Sequence, residues 1–244
     1  MNTTSASHAE APAAAPSGRS VLVWDAPVRV FHWLLVASFA GAYLSAESER
    51  WRLLHVTLGY TMIGLVVFRI LWGLIGTRHA RFSSFVRGPA AVARYVGAML
   101  RGRPEHHVGH NPAGALAIVA LLGLALAVAA SGWAAFNEFG GEWLGEAHEV
   151  VANLMLTLVG VHIAAVLLSS WMHRENLVAA MVTGRKAAQP QDGVRRAWHG
   201  VAALMLVAVL GFWWLQWHNA PAGGVLAGVP AAAAKAGGQD RDDD

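Results

Sequence analysis

Apolar residues in this chain come in five long blocks, separated by polar segments that carry most of the arginines. The blocks run from Val28 to Leu44, Leu53 to Ile75, Ala113 to Phe136, His148 to Trp171 and Ala197 to Trp217. A helix that crosses a bilayer needs roughly 20 mostly apolar residues, so each block predicts a transmembrane helix. Asn111 and Pro112 predict the N-cap and first turn of the third. In the connection before it, Ala90 to Leu100 mixes apolar residues with Arg94 and ends at Arg101, the pattern of a short amphipathic helix on a membrane surface. Residues 1–20 are polar and rich in Ala, Pro and Ser. They lack the cationic start and apolar run of a signal peptide and read as a disordered tail. Pro221 to Asp244 is Gly/Ala-rich with an acidic end and reads as a second solvated tail.

Composition narrows the class. Of 244 residues, 55% are hydrophobic and only 14% charged, against about 25% charged in a soluble domain. An ordinary water-soluble enzyme is excluded, and so is disorder over most of the chain. The absence of cysteine removes disulfides, thiolate zinc sites, iron–sulfur clusters and covalently attached c-type haem. The net charge of +3 is explained by where the basic residues lie. Arg19 and Arg29 precede the first span. Six arginines, Arg78 to Arg103, lie between the second and third, and Arg174, Arg185, Lys186, Arg195 and Arg196 between the fourth and fifth. These regions share one side and hold thirteen of the eighteen basic residues. Positive residues mark the cytoplasmic face, so the N-terminus is expected in the cytoplasm and the C-terminus outside. The charge reports topology, and no nucleic-acid partner is expected.

Twelve histidines are the feature that demands chemistry. His32, His55, His148 and His162 fall within or just inside spans, where an ionisable side chain is expensive and marks a functional site. Neutral imidazole is an axial ligand of haem iron, and two histidines from facing helices can clamp one haem. His148 and His162 lie 14 positions apart, close to four turns, so they share a face and stand roughly 21 Å apart along the axis. One zinc or di-iron site cannot use ligands so separated, whereas two stacked haems can. Depth along the antiparallel spans pairs His32 with His162 and His55 with His148. Arg69, deep in the second span and 14 positions after His55, is placed to meet a haem propionate. Glycines such as Gly59, Gly64, Gly132 and Gly160 serve close helix packing or make room for a flat macrocycle. Nothing selects among His8, His79, His106, His107, His110, His173, His199 and His218, any of which could line a quinone pocket. A proton relay in a transporter is the rival use of intramembrane histidines.

Several segments resemble the prokaryotic cytochrome b561 and nickel–iron hydrogenase b-type cytochrome family. They are the run Trp24 to Trp33, Leu54-His55-Val56-Thr57-Leu58-Gly59-Tyr60, Phe68 to Gly73, Gly109 to Ala115, and the stretches around His148 and His162. The resemblance covers about Trp24 to Gly184. It implies an all-α membrane protein whose four-helix bundle holds two non-covalent, bis-histidine b haems on His32, His55, His148 and His162. It also implies electron exchange between membrane quinone and a redox partner such as a hydrogenase or a c-type cytochrome. The expected organisation is a disordered cytoplasmic tail (1–20), a di-haem domain (21–184), an additional transmembrane helix (185–220) and a flexible acidic periplasmic tail (221–244) in a bacterial inner membrane. Such a chain is an electron-transfer subunit of an oxidoreductase complex, with a stand-alone quinone or superoxide oxidoreductase as the alternative.

Overall fold

The computed structural model describes residues 19–102 and 107–220. Five helices are long and apolar enough to cross a membrane. They are α1 (Ala26–Ser45), α2 (Arg52–Ile75), α5 (Pro112–Phe136), α6 (Trp143–His173) and α8 (His199–His218). The short helices α3 (Phe82–Phe85), α4 (Pro89–Leu100) and α7 (Leu177–Thr183) lie in the two basic connections.

Local chemistry sets where these helices begin. The Val28 amide donates to Asp25 Oδ1 at 2.9 Å, with Pro27 in the first turn of α1. The Gly114 amide donates to Asn111 Oδ1 at 2.7 Å, with Pro112 opening α5 as expected. Each cap satisfies an amide that has no partner inside its helix. The amphipathic segment expected over residues 90–100 is α4, which packs against α5 and buries Tyr95. The fourth span begins at Trp143 and not at His148, because its polar first turn, with Glu146, continues the same helix. An acidic residue there suits the positive end of the helix dipole.

Helices α1, α2, α5 and α6 form the bundle. Phe39, Met62, Val66, Ala125, Val128 and Met155, from all four, make its central core. The tightest neighbours are α1 with α2 and α5 with α6, and α2 joins the pairs through α5. Helix α8 lies outside against α1 and α2, with Met205 seated between Phe31 and Leu65. Trp213 Nε1 donates to Thr61 Oγ1 at 2.9 Å. Lipid tails are as apolar as leucine, so packing and such inter-helical hydrogen bonds hold α8 in place.

An antiparallel pair of strands was not expected. β1 (Arg19–Leu22) pairs with β2 (Arg185–Ala188), Arg19 opposite Ala188 and Leu22 opposite Arg185. Arg19 and Ser20, read from sequence as disordered tail, are therefore strand residues. The segment grouped with the fifth helix is likewise tied to the start of the chain, since Val194 N donates to Leu22 O and Ala26 N to Ala197 O. Gly184 makes the turn into β2 with φ +80°, and a Cβ there would strike the carbonyl oxygen of Trp24. That carbonyl lies close because the amides of Val23 and Trp24 donate to Gly184 O. The readings made for residues 1–18, for Arg103 and His106, and for residues 221–244 lie outside the described residues.

Candidate functional site

The four histidines singled out by depth fall at two ends of the bundle. At one end, His55 on α2 and His148 on α6 face each other with ring centroids 6.0 Å apart and planes at 89°. They border a cavity of about 400 Å³ among α1, α2, α5 and α6, whose walls include Phe39, Tyr43, Gly59 and Gly132.

Both rings are held by their Nδ1 atoms. His55 Nδ1 donates to Ala42 O at 2.8 Å, a carbonyl in the last turn of α1 that also accepts from Ser45 Oγ at 3.1 Å. His148 Nδ1 donates to Val128 O at 3.0 Å and lies 3.1 Å from Ser131 Oγ. A carbonyl can only accept, so the proton of each ring is assigned to Nδ1 and each Nε2 keeps a lone pair for a metal. This orientation by a neighbouring carbonyl is what metal-ligating histidines use. Gly132 permits it, since a Cβ there would sit 2.8 Å from His148 Cε1.

The other end is built differently. His32 on α1 lies within electrostatic range of His162 on α6. Trp33 packs edge-on to the His32 ring at 5.0 Å, and the buried His32 Nδ1 has no hydrogen-bond partner among the described residues. Nearby, Arg69 is 3% exposed with its Nη1 unpartnered, and its guanidinium stands 4.8 Å over the Phe82 ring. Phe82 reaches that position across Gly73, where any Cβ would overlap the ring.

Two residues that sequence reasoning left aside belong to this end. Asp25, 1% exposed, caps α1 and also accepts from Trp72 Nε1 at 3.0 Å and Thr77 Oγ1 at 2.7 Å. It ties the start of α1 to the end of α2. His110 lies between Trp24 and Phe85, at 4.4 and 4.5 Å between ring centroids. Desolvation, then Arg69, His79, Lys186 and His162, pushes His110 down to about 3, so its ring is neutral. The signal for His110 was its position directly before the Asn111 cap, which pins it at the mouth of α5.

Three other described histidines have structural settings. His79 Nε2 donates to Asp192 O, His173 Nδ1 to Ser169 O, and His218 packs on Trp214. Among the described residues, no group of three or more His, Asp or Glu side chains is placed to hold a bare metal ion. A second cleft of about 450 Å³ lies between α1, α7 and α8, with Arg29, Trp33 and His199 among apolar walls.

The donor set tests which group would fit. Metal–imidazole bonds are about 2 Å long, so two of them plus two ring radii span roughly 6 Å, the separation of His55 and His148. Paired imidazoles without a third ligand, beside an apolar cavity, suit haem and not a bare ion.

Membrane-crossing helices that bring a pair of histidine rings together at an internal cavity fit a b-type cytochrome. The description "Prokaryotic cytochrome b561" belongs to the family whose profile matches residues 23–184, and this chain is a member of that family. It is a multi-pass membrane protein of electron transport with haem b as its cofactor. Similar chains include one from Rhizobium leguminosarum bv. viciae, 25% identical over 215 residues, covering 69% of this chain and 89% of its own. One from Rhodobacter capsulatus is 22% identical over 215 residues, 68% of this chain and 81% of its own. One from Cupriavidus necator is 24% identical over 220 residues, 70% and 90%. Each bears the name "Probable Ni/Fe-hydrogenase B-type cytochrome subunit". No solved structure matches the chain significantly.

Proposed function

We propose that this chain is the membrane electron-transfer subunit of a redox complex and holds two b haems. His55 and His148 take one, and His32 and His162 take the other. The observation that carries the reading is the juxtaposition of His55 and His148, 6.0 Å apart with both Nδ1 atoms occupied. Bound haem supplies reversible one-electron chemistry at its iron. The chain's own residues orient the ligand rings, exclude water with the apolar core around Phe39, Met62 and Val128, and present Arg69 to a propionate. With two imidazoles on each iron, no position is left for oxygen, which favours electron transfer over oxygen chemistry.

The partner best supported is a nickel–iron hydrogenase, from the names of the similar chains; a c-type cytochrome is the other candidate. Quinone is the mobile carrier, and the cleft beside α8 has the apolar walls and few polar groups of a ring-binding site. The distribution of arginines supports an N-terminus in the cytoplasm and a C-terminus in the periplasm of a bacterial inner membrane.

Haem content tests the core of this reading. Pyridine haemochromogen analysis of the purified chain is expected to give two extractable b haems per polypeptide, and a colourless protein from haem-replete cells would overturn it. Affinity purification from native membranes identifies the partner: hydrogenase subunits are expected, and a c-type cytochrome in their place would reassign the complex.

A further inference from the structure

Arg69 is a buried charge with no carboxylate in direct contact among the described residues. Among the described residues it makes no ion pair, although such a group is costly to bury unless it is paired. Asp25 lies within electrostatic range, but its oxygens accept from the Val28 amide, Trp72 Nε1 and Thr77 Oγ1. Glu175 pairs with Lys186 at 3.1 Å. Asp25 is thus engaged by three donors, and Glu175 is paired through Oε2, its Oε1 being buried without a partner among the described residues.

His110 repeats the anomaly. Its Nδ1 is buried and has no hydrogen-bond partner among the described residues, and buried polar atoms of native proteins are normally satisfied. The ring does not reach its place by chance. Trp24 and Phe85 sandwich it, Asn111 caps α5 directly after it, and Gly109 lies against His79, where a Cβ would sit 2.9 Å from Nδ1. His79 in turn is anchored on Asp192 O at 2.7 Å. Arg69 and His162 both lie within electrostatic range of the His110 ring. Arg69 stacks over Phe82 at 4.8 Å, Phe82 packs on Phe85 at 5.8 Å and Phe85 on His110 at 4.5 Å, so two enclosed nitrogens without partners among the described residues flank one aromatic pair.

We infer that His110 and Arg69 form a seat for a single carboxylate, a propionate of the haem held by His32 and His162, with His110 donating from Nδ1. The inference rests on the two-haem reading and adds to it a residue from the connection between α4 and α5. A guanidinium and an N–H donor are the groups that hold a carboxylate in a dry site. A seat of this kind orients the haem about its iron axis and lowers the negative charge felt at the iron.

The test compares His110→Leu and His110→Asn with the unmodified full chain by redox titration, after loading with haem or with its dimethyl ester, whose propionates carry no charge. With ordinary haem, His110→Leu is expected to shift one of two components negative, the component that His162→Ala removes. His110→Asn, which keeps a donor near Nδ1, is expected to restore it. With the ester, all three proteins are expected to titrate alike. The other component reports folding throughout. An equal shift with haem and ester would overturn the inference, because the effect would then be structural or due to a different anion. A shift in the component removed by His55→Ala would overturn it too. A parent protein carrying only the His55–His148 haem would overturn the two-haem reading itself, visibly before any His110 variant is measured.

Discussion

The two ends of the bundle hold the same kind of histidine pair in different ways. At the His55 end the protein has already paired both Nδ1 atoms with carbonyls, and a glycine makes room for one ring. At the His32 end the rings sit among unsatisfied nitrogens, His32 Nδ1, Arg69 Nη1 and His110 Nδ1, and the rigidity comes from Asp25 tying α1 to α2. One end is organised around its ligands and the other around its charges. A pre-oriented imidazole needs little help to meet a metal, whereas buried donors wait for an acceptor.

The largest expected effect comes from breaking the pairs. His148→Ala and His55→Ala are each expected to remove the same haem, while His32→Ala and His162→Ala remove the other, as seen in redox titrations of the reduced α-band. Loss of one component by both His55→Ala and His162→Ala would rearrange the whole comparison.

Asp25→Ala strikes the charged end. It strands the Trp72 and Thr77 donors and uncaps α1, at about 1–3 kcal/mol for each buried donor left unpaired. Thermal unfolding in detergent is expected to drop by several degrees, with the His32–His162 haem lost first. Gly132→Ala strikes the other end. Its Cβ would press on His148, and overpacking of this kind costs about 1–3 kcal/mol; the His55–His148 haem is expected to bind more weakly while its companion keeps its spectrum.

Ser131→Ala sharpens the comparison without breaking it. It removes one neighbour of His148 Nδ1 and leaves Val128 O in place, so a loss of about 0.5–1.5 kcal/mol is expected in haem affinity at that end alone. The smallest effect is expected from Trp213→Phe, which deletes the α8 hydrogen bond to Thr61. Inter-helical bonds in bilayers are worth about 0.6 kcal/mol on average, so unfolding shifts slightly and both haem spectra stay unchanged.

Much of this was legible along the chain because the bilayer is so restrictive a solvent. Spans of about 20 apolar residues must be helices, since no water is available for an unpaired backbone group. Four histidines at membrane depth stand out for the same reason, and antiparallel crossing sorts them into two levels, which is where the rings of His55 and His148 meet. The Asn111–Pro112 start of α5 was also readable, because a cap is a local event.

Other features had no local signature. Asp25 was passed over in the sequence, and only the fold brings Trp72 and Thr77, about fifty positions away, onto its second oxygen. His110 was one of several histidines in a basic connection, and only the return of Trp24 and Phe85 around it makes it distinct. The pairing of β1 with β2 joins segments separated by some 160 residues. Hydropathy and helical spacing determined the number of spans, the depth of each histidine and the chemistry to expect. Tertiary structure decided which nitrogen of each ring is tied down, which buried charge is left unpaired and what α8 leans on. These depend on contacts between distant segments, and a one-dimensional pattern carries depth and periodicity but not the identity of the neighbour across the bundle.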